Sequence, residues 1–564
     1  ESSSVYNTEK IIENRSKKMK KIILSALALV SASAFACTNI IVGKAASADG
    51  SVFVSYNADS YGMYGNIYSH KGGLHQPGEE RDVYDWDTNA YHGKIKQALR
   101  TYNVVGQMNE NQVSVTETTF GGREDLWGTE GMLDYGSLIY IALERATSAR
   151  DAIKIMTSLV DEYGYCSEGE TFSICDKNEA WVMEMIGKGK GHKGAVWAAV
   201  RIPDDCVSAH ANQSRITKLS KYDKKNVMFS KDLIKFAREK GYFSGKDADF
   251  SFRDAYSPNN FDAVRYCETR VWSIFNRMCD GMDVYVDYAA GKDMKGEMPL
   301  YMKPNHKITL RDVMNGMRDH YEGTPFDIQN ELGAGPYNMP YRPTPLSWKS
   351  GDVEYFNERP VSTQQTAFCF VGQMRSALPD ALGGIAWVTN DDPNMAPFVP
   401  LYCSMTDVPE CFKRIEGVQD DVTFSWKSAF WLQNTVSNMV YPYYEKMFPD
   451  VKHYRDRLDD VFGSRTAVWE KTITDSCGEV SEYTTNYSND CAEQMMQQWT
   501  ELFKYLTVRH NDMAIKKING IDKPFAERFK MTKDGLSEAP DRPGYPEAFR
   551  NKIVESEGGK YKLK

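Results

Sequence analysis

The residue best equipped for chemistry is Cys37, because of where it stands. It follows Met19-Lys20-Lys21, an apolar run of about fifteen residues from Ile22, and Ala34-Phe35-Ala36, the pattern of a secretory signal peptide with small residues at the two positions a signal peptidase reads. Cleavage there makes Cys37 the first residue. A thiol with a pKa near 8.5 then shares one residue with an α-amine near 7.7 to 8.0, so nucleophile and base come together with no partner histidine. A side-chain base such as His210 is the alternative. The other use of such a cysteine is a lipid anchor, but lipoprotein signals favour a branched apolar residue and then a small one where this chain has Ala34 and Phe35.

The elements that must position Cys37 surround it in the sequence. Thr38 to Gly43 and Val52 to Asn57 are β-rich runs around Asp49-Gly50, which predicts a hairpin. Further strands are expected at Thr171 to Cys175, Ala180 to Ile186, Ala195 to Ile202 and Val207 to Ala211, with one helical stretch over Ser137 to Val160 between the groups. Strands in runs with helices between them indicate a layered α+β core. The Pro- and Gly-rich segment from Pro325 to Pro345 reads as a linker or a cap, and Phe424 to Phe448 and Asn489 to Tyr505 as helices. Domain organisation follows: 1–18 an upstream extension, 19–36 the signal peptide, 37–420 the main domain and 421–564 a helical C-terminal region.

Composition narrows the function classes. The 564 residues are 41% hydrophobic and 26% charged, the balance of a globular chain. The net charge of -9 includes a basic leader, and without its +3 the remainder carries -12, which argues against a nucleic-acid partner. After the leader no apolar stretch is long enough to span a bilayer, so an exported protein, periplasmic or secreted, without stable membrane insertion is expected. The chain has eleven cysteines; Cys166 with Cys175, Cys403 with Cys411 and Cys477 with Cys491 are close-set disulfide candidates, with buried free thiols as the alternative. The nine histidines are scattered without metal-ligand spacing, so neither a metal nor a cofactor is expected. Gly189-x-Gly191-x-x-Gly194 precedes a strand rather than the helix a dinucleotide site needs, and reads as a hairpin loop. Asp391-Asp392 before Pro393 reads as a turn.

Cys37-Thr38-Asn39-Ile40-Ile41-Val42-Gly43, with Ala48-Asp49-Gly50-Ser51 and Asn57-Ala58-Asp59, resembles the opening of the dipeptidase A family of N-terminal-nucleophile cysteine peptidases. The likeness continues through Asn109 to Val113 and Glu117-Thr118, Glu144-Arg145-Ala146, Trp197 to Asp205, His210 to Ile216, His320 to Pro325, Val371 to Arg375 and Val399 to Tyr402. It implies a four-layer αββα sandwich and hydrolysis of dipeptides without a cofactor. Against the related bile salt hydrolases and penicillin V acylases, Asp59 matches their Asp, but Tyr56 stands where they carry Arg. That departure weighs against the alternative, a cysteine amidase acting on acyl-amino acids or bile conjugates. The resemblance gives Asn212 the role of oxyanion donor. Asp59, at the end of the second hairpin strand, is placed to hold the α-ammonium. Arg270 is our choice for a cation near the site, ahead of Arg265. No pattern in the sequence sets the oligomeric state.

Overall fold

The computed structural model describes residues 37–473 and 480–563, so the expected upstream extension and expected signal peptide lie outside the described residues. Ten strands carry the architecture: β1 (Asn39–Val42), β2 (Val52–Asp59), β3 (Ser114–Gly121), β4 (Gly169–Cys175), β5 (Ala180–Gly187), β6 (Ala195–Ile202), β7 (Val207–His210), β8 (Thr366–Met374), β9 (Gly384–Asn390) and β10 (Val399–Tyr402). One antiparallel sheet of seven strands runs from a short strand at Tyr301–Met302 through β7, β1, β2, β8 and β9 to β10. A second antiparallel sheet, of eight, runs from Val227–Phe229 through β6, β5, β4 and β3 to three short strands.

The hairpin that opens the chain forms as expected. Ile41 lies opposite Val54, and the Ser51 N–H donates to Asp49 Oδ1 at 3.0 Å, closing the turn in which Gly50 takes a φ of +79°. Asp and Gly suit this turn because one side chain caps its own backbone and the other residue tolerates positive φ. Every residue of β1 and β2 is buried, since β1 and β2 also contact β3 of the other sheet. His210, a polar side chain in the interior, is paired: it bonds Thr118 Oγ1 at 2.7 Å through Nδ1 and Ser173 Oγ at 2.6 Å through Nε2. Such pairing removes most of the cost of burying it.

The expected single helix over Ser137 to Val160 is instead two, α1 (Tyr135–Leu143) and α2 (Ala149–Tyr163). Ser148 ends the continuity: its Oγ accepts the Asp151 N–H at 3.2 Å and starts α2 afresh, as an N-cap does. On α2, Ala149, Ala152, Ile153, Met156, Leu159 and Val160 bury a stripe towards β4. A fully buried Leu or Ile of this kind contributes about 1.5–3 kcal/mol. Helices α3 (Thr269–Met278) and α4 (Leu310–Met317) pack on the seven-stranded sheet, at β7 and at β2 and β8. In the C-terminal region α5 (Ala429–Val440), α6 (Tyr444–Ile473) and α7 (Val480–Arg509) pack on β9 and β10.

The loop Lys188 to Gly194 joins β5 to β6 as a hairpin, as read from the sequence. The disulfide candidates fare differently. Cys166, Cys175, Cys403 and Cys411 are free thiols, and Cys175 and Cys403 are buried in the body of the fold; Cys477 lies outside the described residues. Among the described residues no helix is long and apolar enough to cross a membrane.

Candidate active site

Cys37 lies immediately before β1 and is only 4% exposed. Its Sγ is 3.6 Å from Glu117 Oε1 on β3 and 3.8 Å from Tyr56 Oη on β2. Tyr56 Oη in turn donates to Glu117 Oε1 at 2.5 Å. The thiol therefore sits at a meeting point of the two sheets, beside a carboxyl group.

Three of the residues expected at the site are tied to one another. Arg270 Nη1 donates to the Cys37 carbonyl and to Thr38 Oγ1, both at 2.7 Å, and Nη2 donates to Asn212 Oδ1 at 2.9 Å. With Nε given to the Tyr266 carbonyl at 2.7 Å, the guanidinium is a five-donor fork spent on positioning. It is carried by α3, which follows a π-helical turn at Val264–Glu268. Such a turn often marks a site where a side chain must be aimed. Arg265, the second choice, is turned away to Thr269 and Glu358.

Asn212 stands two residues beyond β7 and gives one amide hydrogen to the Thr119 carbonyl at 2.8 Å. The turn that holds it is built by Glu184, whose carboxylate accepts from the backbone N–H of Arg215 and Ile216 at 2.5 and 2.9 Å. Arg215 itself pairs with Glu268 at 2.8 Å in the interior. Much of the His210 to Ile216 block thus acts by presenting Asn212. His210 is unsuited to be a base, since both ring nitrogens are occupied and burial drives its pKa down to about 3.

Asp59 is buried and engaged by Arg359 Nη2 at 2.7 Å and Thr366 Oγ1 at 2.6 Å. Its backbone favours the Cys37 thiolate, whereas its charge opposes it. The Cys37 thiol is pushed well up, first by burial, then by the charges of Glu117 and Asp59. A thiol so placed stays protonated until a cation or a base reaches it. Burial also lifts Glu117, to about 7, and raises the neighbouring Glu170 well above the carboxylate range. Two carboxyls in contact in a dry interior hold a proton between them.

Sequence reasoning brought Cys37, Asn212 and Arg270 to one place and Asp59 to its edge. It gave no role to Glu117, which lies in a family-like block, or to Arg359, and it noted Tyr56 solely as a departure from a pattern. Polarity inside a β-rich run was the available signal for Tyr56 and Glu117; Arg359 had none.

Fold and site together define a mixed α/β protein with a cysteine-centred site where two antiparallel sheets meet. A sequence model of peptidase family C69 matches residues 36–89 and 74–457, and the chain belongs to that family; it is an enzyme, a peptidase. It is 29% identical to a "Probable dipeptidase" of Salmonella dublin over 406 residues, 69% of this chain and 86% of that one. It is 25% identical to a "Probable dipeptidase" of Latilactobacillus sakei over 85% of this chain and 98% of the relative. "Dipeptidase A" of Lactobacillus helveticus is 25% identical over 72% of this chain and 81% of its own length.

Proposed function

We propose that this chain is an exported cysteine-type dipeptidase whose nucleophile is Cys37, made N-terminal by removal of residues 1–36. The observation that carries the reading is the Cys37 sulfur held 3.6 Å from Glu117 between two sheets, in a chain of a peptidase family. The names of the relatives point to dipeptides as substrates. The finer architecture we propose is the four-layer αββα sandwich, with the two sheets as inner layers, α1 and α2 outside one and α3 and α4 outside the other.

In the proposed reaction the α-amine of Cys37 takes the thiol proton and the thiolate attacks the scissile carbonyl. The second amide hydrogen of Asn212 meets the developing oxyanion, an interaction typically worth a few kcal/mol in the barrier. The α-ammonium then protonates the departing amine, and water hydrolyses the acyl-enzyme. Asp59 steadies the α-ammonium, and Arg270 holds the Cys37 carbonyl so that nitrogen and sulfur keep their relation. The Glu117 and Glu170 pair, with one proton held between the two carboxyls, supplies the single negative charge that a substrate's free amine requires.

Two comparisons test this. A protein beginning at Cys37 hydrolyses dipeptides, whereas one retaining Ala36, its mass verified before and after incubation, does not. Full activity with Ala36 still attached overturns the N-terminal base. N-acetylating a good dipeptide lowers kcat/KM about tenfold or more, the scale of one charged contact; equal rates on blocked and free substrates favour the amidase reading instead.

A further inference from the structure

Outside the two large sheets, a hairpin of Glu80–Tyr84 and Tyr91–Lys96 lies over the start of α1. Asp85 and His92 flank its turn, and Asp134 is the N-cap of α1. One ring nitrogen of His92 and one carboxylate oxygen from each of Asp85 and Asp134 lie within 4.8 Å of one another. We propose that these three residues bind a divalent metal ion of the zinc class, which pins the hairpin to α1. The site departs from the sequence-based expectation of no metal, because its ligands come from a hairpin and a distant helix cap and form no spacing motif.

Asp134 is the strongest part of the case. Its Oδ1 is consumed by the cap, accepting the Gly136 and Ser137 N–H groups at 2.8 and 3.0 Å. Its Oδ2 is buried without a hydrogen-bond partner, in a residue 3% exposed. A buried carboxylate oxygen with no donor is costly, and a cation beside it removes that cost. Asp85 has the same division of labour: Oδ1 accepts the Thr88 N–H at 2.8 Å and the Thr88 hydroxyl at 2.6 Å.

His92 is oriented in the manner of a ligand. Its Nδ1 is 3.2 Å from the Met132 carbonyl, which can only accept, so Nδ1 carries the proton and the lone pair is left on Nε2. A metal-bound imidazole characteristically gives its other N–H to such a carbonyl. The donor set of one imidazole and two carboxylates suits zinc over calcium or magnesium, which prefer all-oxygen shells. Bonds of about 2.0–2.2 Å place ligand atoms roughly 3–3.5 Å apart, so binding draws the three groups together by about 1 Å. Cys166 Sγ lies 3.6 Å from Nδ1, on the proton-bearing side, and is a neighbour rather than a ligand.

The ion would have a positioning role. Between its two hairpin ligands sits Asp87, whose Oδ1 accepts the Tyr135 hydroxyl at 3.0 Å, and Tyr135 lies within electrostatic reach of Glu117 and Cys37. Pinning the hairpin holds Asp87 on Tyr135.

The test uses the full chain, stripped with a chelator, exchanged into equimolar zinc and desalted, with metal content measured directly. The wild type retains about one zinc per chain, and its Tm rises by about 2 °C or more with zinc but not with calcium. Cobalt(II) gives visible d–d bands of a low-coordinate site. His92→Ala and Asp134→Asn, the latter keeping an N-cap, retain the wild-type circular dichroism and lose the zinc, while Cys166→Ala keeps it. Zinc content equal in wild type and His92→Ala, an equal response to calcium, or loss in Cys166→Ala overturns the assignment. None of these readouts depends on peptidase activity, so the outcome is independent of the proposed reaction.

Discussion

Glu117 on β3 and Glu184 on β5 are buried glutamates of one sheet, and burial lifts both to about 7. Their partners differ. Glu184 accepts two backbone N–H groups and the Ser214 hydroxyl, with the Arg215 charge nearby, so both oxygens are satisfied by fixed donors. Glu117 has Tyr56 and the Cys37 thiol on one oxygen, and its remaining contact is another carboxyl, Glu170. The same titration shift thus accompanies a structural brace in one place and a neighbour of the proposed nucleophile in the other. What separates them is the donor set, which decides whether a group is locked or available.

The largest effect that could break this contrast is at Cys37, the proposed nucleophile. Cys37→Ala lowers dipeptide turnover by about ten-thousand-fold or more with the fold intact, as measured by kinetics and circular dichroism on a protein of verified N-terminus. Cys37→Ser retains weak activity at most, since an alkoxide is harder to generate than a thiolate. Retained turnover in Cys37→Ala removes the cysteine mechanism.

The glutamate pair is the next test. Glu117→Gln lowers kcat/KM by about a hundredfold while leaving stability equal or higher, because it removes a buried charge with no counter-ion. Glu184→Gln does the reverse, costing about 2 kcal/mol in urea unfolding and leaving the folded fraction within about threefold of wild-type kcat/KM. A Glu117→Gln protein that is fully active but unstable would make both residues braces.

Asn212→Ala sharpens the role of the turn that Glu184 supports. The expected result is a fall in kcat of roughly ten- to a hundredfold with KM nearly unchanged, as for an interaction made in the transition state. A change confined to KM would move Asn212 to ground-state binding.

The smallest effect is in pH dependence. Both glutamates have folded pKa values above the unfolded value of about 4.5, so between there and about 7 the folded state binds more protons. Their stabilising contribution is complete below about 4.5 and is lost as pH rises through about 7. Either Gln variant therefore flattens the dependence of unfolding free energy on pH between 5 and 7.5. An unchanged slope would show that the substituted group does not titrate in that window.

Turn and strand signals read correctly. The Asp49-Gly50 turn and the strands from Thr171 to Ala211 stand within two residues of their expected bounds, because turn chemistry and β-rich runs are written over a few neighbouring residues. The break between α1 and α2 was not legible in the apolar spacing, which runs across it; side-chain caps interrupt the helix, with Ser148 Oγ and Asp151 Oδ2 accepting N–H groups at the start of α2 and Asn109 Nδ2 donating to the Leu143 and Ala146 carbonyls. At the site, position in the chain singled out Cys37, and resemblance indicated Asn212. Tertiary structure alone decided that Glu117 stands beside the sulfur, that Arg270 binds the Cys37 carbonyl and that Arg359 neutralises Asp59. Those partners are 80, 233 and 300 residues apart. Contacts at such separations arise from the stacking of two sheets and a docked helix, and no short stretch of sequence carries the register that brings them together.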